Sequence, residues 1–193
     1  MNTWKLAVAM VLVAGPVLAQ PQITVSLFDR AGLSRQVRET MKKDASQIFR
    51  EAGIKLEWVD CETVGAMSPE CAQPHGGARL LMELTPGRNK KTPWIAGVAI
   101  VQGSSSFLAC LYPERVQELA QKTSWDFGEL LGHAAAHELG HLLLRTADHT
   151  RAGIMRASWE VKDLRNLPHA GLVFLPGQLR DAQAATVAMA SAR

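Results

Sequence analysis

The segment from Asp126 to Leu144 constrains this chain more than any other, because it specifies a long helix and places ionisable side chains on it. Asp126 is suited to accept from the first-turn amides while Glu129 reaches back, a capping-box arrangement. Leu131, Ala135, Leu139 and Leu142 follow as an apolar stripe, so the spacing predicts a helix ending near Leu144. Inside it stands His137-Glu138-Leu139-Gly140-His141. Residues four apart on a helix differ by only about 40° around the axis and one turn along it, so both imidazoles can converge on one metal ion. Glu138 lies about 100° from His137, beside the metal, where a carboxylate can hold a metal-bound water. Leu139 points the opposite way, and the expected helix has a wet metal face and a dry core face. The competing reading makes both histidines ordinary helix-face residues hydrogen-bonded to neighbours. Against it stands the placement of the pattern on a helix found independently from capping and periodicity.

A catalytic zinc usually takes three protein ligands and keeps a fourth position for water. Imidazole is the better zinc ligand, so His149 is the expected third one, with Asp148 and Glu160 as alternatives. His133 is one turn before His137, and about 12 Å along the axis separates it from His141, so it cannot share an ion with both. It is expected beside the site or at the surface. His75, in a Pro-His-Gly-Gly loop, and His169, after Pro168, are expected to carry no function.

Composition bounds the rest. The chain has 193 residues, 47% hydrophobic and 20% charged, with a mean hydropathy of -0.01, which describes one soluble domain with a real core. Disordered, collagen-like and multi-pass membrane chains are excluded. A formal charge of +3, spread evenly, and only 6% aromatic residues argue against a nucleic-acid partner. Residues 1–19 have the form of a signal peptide: Lys5, an apolar run from Leu6 to Val17, and Val17-Leu18-Ala19 at the cleavage point. The run is short and broken by Gly15 and Pro16, so no stable membrane anchor is expected. Loss of Lys5 takes the charge from +3 to +2 in the expected mature domain, residues 20–193. An exported chain keeps disulfides, and Cys61 and Cys71 bracket a short loop suited to a local bridge. Cys110, in the apolar run Phe107 to Leu111, is expected to be a buried free thiol.

Along the mature chain, Ile23, Val25 and Leu27 predict a half-buried strand. Val37, Met41, Ala45, Ile48 and Phe49 predict a helix from Ser34 to about Ala52, stopped by Gly53. Ile54, Leu56 and Trp58 mark a second strand, and Leu80 to Leu84 a third. The basic segment Pro86 to Pro93 is expected as a solvated loop. Ile95 to Val101 and Phe107 to Tyr112 predict an antiparallel pair, Pro113 opens a short helix to about Lys122, and Gly177 to Ala190 predicts a C-terminal helix after an irregular segment. The resulting class is α+β, a mixed sheet with helices packed on it.

His137-Glu138-x-x-His141, a third histidine at His149 and then Gly153-Ile154-Met155 resemble the metzincin clan of zinc metallopeptidases. The resemblance implies a mixed twisted sheet with a backing helix, an active-site helix and a C-terminal helix. It also makes Met155 the methionine of a turn packed beneath the metal, a hydrophobic floor and not a ligand. Two departures stand out: Leu144 occupies the place of the clan's turn glycine, and His149 comes two residues late. The helix is therefore expected to run further, with the turn displaced into Arg145 to Asp148. Tyr112 is the only tyrosine, so no later tyrosine can act as a fourth ligand. The implied function is that of a secreted, monomeric zinc-dependent metalloendopeptidase. It would hydrolyse a protein or peptide substrate through a zinc-bound water, with Glu138 as general base. The substrate would lie extended along a sheet edge, for which Ile95 to Val101 is the candidate. With no room for an inhibitory propeptide, the enzyme is expected to be exported active or restrained by a separate inhibitor. The alternatives are a non-proteolytic zinc-binding module on the same fold, and a gluzincin-like peptidase with Glu160 as third ligand.

Overall fold

The computed structural model describes residues 20–63, 66–72, 78–87, 95–101, 108–166 and 172–191. The expected signal peptide, most of the basic loop, the Gly103-Ser106 connection, His75 and His169 lie outside these residues. The elements run β1 (Gln22–Asp29), α1 (Arg35–Glu51), β2 (Lys55–Thr63), β3 (Ala66–Met67), α2 (Pro69–Ala72), β4 (Ala78–Leu84), β5 (Gly97–Ile100) and β6 (Leu108–Leu111). They continue with α3 (Pro113–Ala120), α4 (Phe127–Leu144), α5 (Val161–Asn166) and α6 (Pro176–Ser191).

The strands form one mixed sheet in the order β3-β2-β1-β4-β6-β5. The four inner strands β2, β1, β4 and β6 are parallel to one another, while β3 and β5 pair antiparallel at the two ends. In β4, Ala78, Leu80, Met82 and Leu84 are buried and alternate with half-buried Arg79, Leu81 and Glu83, so one face supplies the core. The central strand departs from the half-buried expectation. Thr24 and Ser26, on the other face of β1, are buried as well. Ser26 is short and is paired between Val59 of β2 and Leu81 of β4, and Arg79 Nε donates to its hydroxyl at 2.7 Å. Larger neighbours and one hydrogen bond thus bury a polar residue whose position alone suggested solvent.

Helix α1 follows its sequence closely. Ser34 accepts from the Val37 amide, the helix ends at Ala52, and Met41, Ala45, Ile48 and Phe49 form its buried stripe. It packs against α4, and both lie on the core face of the sheet. A bridge joins Cys61 on β2 to Cys71 on α2, as the loop composition suggested. Cys110 carries no disulfide but is only half-buried, because it sits on β6 with its side chain on the face opposite Ala109 and Leu111. The stretch expected to be irregular contains α5, which is pinned by the Trp125 indole N–H donating to the Leu164 carbonyl at 2.9 Å.

Candidate active site

The site is built on α4, and the local chemistry of its two ends determines where its histidines point. At the start, Asp126 accepts from the Glu129 amide at 3.1 Å. At the end the helix runs through Leu144, and Arg145 closes it in a left-handed conformation with φ of 52°. A non-glycine residue rarely adopts this conformation. The turn is therefore displaced by one residue from where a glycine would make it, as the departure at Leu144 implied. The Arg145 and Thr146 amides then donate to the His141 carbonyl, and the chain reverses toward His149.

That reversal orients the imidazoles. His141 Nδ1 lies 2.8 Å from the Thr146 carbonyl, and His137 Nδ1 lies 2.7 Å from the Ile154 carbonyl. A carbonyl oxygen only accepts, so both Nδ1 atoms carry the proton and both Nε2 atoms present bare lone pairs. Those lone pairs face inward. His141 Nε2 lies 3.0 Å from His137 Nε2 and 3.2 Å from His149 Nε2, and the three candidate ligand atoms lie within 4.8 Å of one another. Acceptor nitrogens this close repel unless a cation lies among them. A tetrahedral metal with metal–nitrogen bonds of about 2.0–2.1 Å sets its ligand nitrogens about 3.3 Å apart, so the donor set fits such an ion. Burial depresses both helical histidines further: His137 falls from 6.5 to about 4, mainly by desolvation, and His141 is lowered for the same leading reason. Both are therefore neutral, ligand-ready imidazoles at neutral pH.

Beneath the cluster, Thr150 and Arg156 bridge, the Thr150 amide donates to the Met155 carbonyl at 2.8 Å, and the Ile154 amide donates to the Val173 carbonyl at 2.9 Å. The turn brings Met155 against α4 at Gly140, where an added Cβ would lie 2.6 Å from the Met155 sulfur. Met155 is 1% exposed, which suits a floor and not a ligand. Glu138 lies beside the histidines in the wall of a cavity of about 310 Å³. Glu138 is 6% exposed, and burial pushes its carboxyl up from 4.5 to about 8. Strand β5, the last in the sheet order, lines the same cavity against Glu138, with Val98 and Ile100 exposed on it.

The expected residues His137, Glu138, His141, His149 and Met155 are thus brought together. Asp148 and Glu160 are exposed and do not belong to the histidine group; Glu160 instead pairs with Lys162 at 2.8 Å. His133 is neither at the surface nor at the site. It is buried, with Nδ1 2.6 Å from Asp44 Oδ2 of α1, and it ties the two helices together. The wet and dry faces expected of α4 also give way, since every residue from Leu130 to Leu143 is buried. One neighbour was not foreseen: Trp159 stands edge-on to His137, with ring centroids 5.8 Å apart and planes at 89°. Its only sequence signal is an aromatic residue shortly after the methionine turn.

No protein-family model matches the chain, and no curated protein matches it by sequence. Solved structures do match in fold. The archaemetzincin of Methanopyrus kandleri superposes with a TM-score of 0.55 at 14% identity, covering 88% of this chain and 98% of that one. A zinc-dependent peptidase of Methanocorpusculum labreanum gives 0.48 at 17% identity, covering 83% and 99%. The first of these likenesses shows that the chain shares the mixed-sheet fold of that archaemetzincin.

Proposed function

We propose that this protein is a zinc-dependent metalloendopeptidase, with His137, His141 and His149 as the metal ligands and Glu138 as general base. The observation that carries the reading is the meeting of three Nε2 atoms at 3.0 and 3.2 Å, two of them with lone pairs bared because their Nδ1–H donates to a carbonyl, beside a carboxyl in a cavity wall. Bound there, zinc supplies Lewis acidity: it polarises a carbonyl oxygen, makes water more acidic, and its charge favours the ionised form of Glu138. The remaining work falls to the chain. Glu138 takes the proton of the attacking water and passes it to the leaving nitrogen, so one carboxyl serves as base and then acid. The Ile154 and Thr146 carbonyls hold two rings in the tautomer that binds metal. Strand β5, last in the sheet order among the described residues, offers its outer backbone edge to an extended peptide, which fits an endopeptidase acting on protein or peptide substrates. Met155 and Trp159 support the ligands by packing. The reading places the mature chain outside the cytoplasm, supported by the leader-like residues 1–19 and the Cys61–Cys71 bridge.

The test is metal content together with cleavage of casein or a quenched peptide. The purified protein is expected to hold one zinc and to show chelator-sensitive hydrolysis. Glu138→Gln is expected to keep the zinc and to lose about 10²–10⁴-fold in turnover. Retained turnover in that variant overturns the role of Glu138. Stoichiometric zinc with no chelator-sensitive cleavage points instead to a non-proteolytic zinc-binding module.

A further inference from the structure

The backbone of β5 meets the side chain of Glu138 more closely than any side chain would allow. A Cβ added at Gly97 would lie 2.8 Å from both Cγ and Oε1 of Glu138, and 2.8 Å from Cδ2 of Leu111. Contacts under about 3 Å between such atoms require something to move. The backbone on either side has little room to give, so the neighbour that moves is the side chain bordering the cavity, Glu138. Leu111 is fully buried on the neighbouring strand, where it is the register partner of Gly97, and Glu138 sits on a helix buried on every side. The Tyr112 amide donates to the Ala96 carbonyl at 2.8 Å and locks the start of β5 in place.

We infer that Gly97 is a positioning residue for Glu138: its bare backbone forms the wall that fixes where the carboxylate stands relative to the three imidazoles. The inference rests on the proposed role of Glu138. A methyl group at position 97 displaces the carboxyl while leaving His137, His141 and His149 untouched. Because general-base catalysis depends on placement, a displacement near 1 Å is enough to lower turnover about a hundredfold. Zinc affinity depends on other atoms and stays where it was.

Two measurements on the full-length protein test this. The first compares Gly97→Ala with wild type for kcat, KM and zinc stoichiometry, with Glu138→Gln alongside. The expected result is a kcat lower by about a hundredfold, a fall far larger than any change in KM, with one zinc retained. A wild-type kcat in Gly97→Ala, with Glu138→Gln inactive, removes the positioning role but leaves the peptidase reading intact. An active Glu138→Gln removes the peptidase reading itself. The second measurement needs no activity: a double-mutant cycle in urea between Gly97→Ala and Glu138→Ala. Truncating Glu138 vacates the space that the new methyl needs, so Gly97→Ala is expected to lower the urea midpoint in wild type and to lower it less in Glu138→Ala. Folding of the double variant where Gly97→Ala alone does not fold supports the inference equally. Additive effects, or failure of Gly97→Ala in both backgrounds, assign the pressure to Leu111 and overturn the inference.

Discussion

Helices α1 and α4 lie side by side on the same sheet, yet they are buried in different ways. On α1 a stripe of Met41, Ala45, Ile48 and Phe49 faces the core, while Lys43, Gln47 and Arg50 stay in solvent. On α4 no residue from Leu130 to Leu143 reaches solvent freely, although four of them, His133, His137, Glu138 and His141, are ionisable. A helix buried all round is normally apolar all round, because an unpaired polar group costs free energy out of water. In α4 each buried histidine has an identifiable partner: backbone carbonyls of Glu129, Ile154 and Thr146 for His133, His137 and His141, with the Asp44 carboxyl also beside His133. The small residues Gly132, Ala134, Ala135, Ala136 and Gly140 let those partners and the neighbouring elements approach. What separates the two helices is their task. α1 supplies a surface to pack against, and α4 carries a polar site into the interior.

The largest expected break in this contrast is at the metal. His141→Ala is expected to weaken zinc binding by more than about a hundredfold, read by chelator competition, since even partners that only support a ligand cost about 10–100-fold. Lys43→Ala on α1 leaves zinc affinity unchanged in the same assay.

Acid is expected to act on α4 and to spare α1. In the metal-free protein His137 titrates near 4, while in the unfolded chain it titrates near 6.5. Between those values the unfolded state binds an extra proton at His137, but Glu138, held up to about 8 by burial, keeps a proton in the folded state that it loses on unfolding above about 4.5, so the two offset in the wild type. In Glu138→Gln only the histidine contribution remains, so stability rises with pH and is lost as pH falls from about 6.5 to 4. The loss is on the order of 2–3 kcal/mol and is measured as urea midpoints of metal-free Glu138→Gln across that window. A flat profile in Glu138→Gln contradicts the burial of a neutral His137.

Packing between the helices is the next test. An alanine in place of an exposed helical glycine stabilises by about 1 kcal/mol. At Gly132 the sign is expected to reverse, because the new Cβ would lie 2.7 Å from Asp44 Cβ and 2.8 Å from the Met41 carbonyl on α1. Gly132→Ala should cost about 1–3 kcal/mol in thermal or urea unfolding. The smallest effect belongs to the solvent side of α1, where Lys43→Ala is expected to stay within about 0.5 kcal/mol of wild type.

The same contrast explains which features could be read from the residues. Both helices were legible from caps and spacing: Ser34 and Asp126 each accept from the amide three residues on, and the stripes recur every three or four residues. These are interactions within one or two turns, and a sequence states them directly. The antiparallel pair β5 and β6 and the Cys61–Cys71 bridge were equally legible, being local in the chain. What failed was burial. Ser26 and His133 look like solvent-facing residues by position, and Cys110 looks buried because its neighbours are apolar. For the first two, burial is decided by what arrives from elsewhere: Arg79 for Ser26, and Asp44 for His133.

The sequence by itself determined the helix that carries His137, Glu138 and His141, the strands beneath it, and the donor types able to hold a metal. Helical periodicity alone places two imidazoles one turn apart. Only the tertiary structure decided that His149 closes the triad while Asp148 and Glu160 stay outside, because that choice depends on a left-handed Arg145 and on two carbonyls that aim the rings. It alone also brought Gly97 against Glu138, across a strand and a helix that are far apart in the chain. Such contacts depend on how the chain closes on itself, and no short run of residues contains that information.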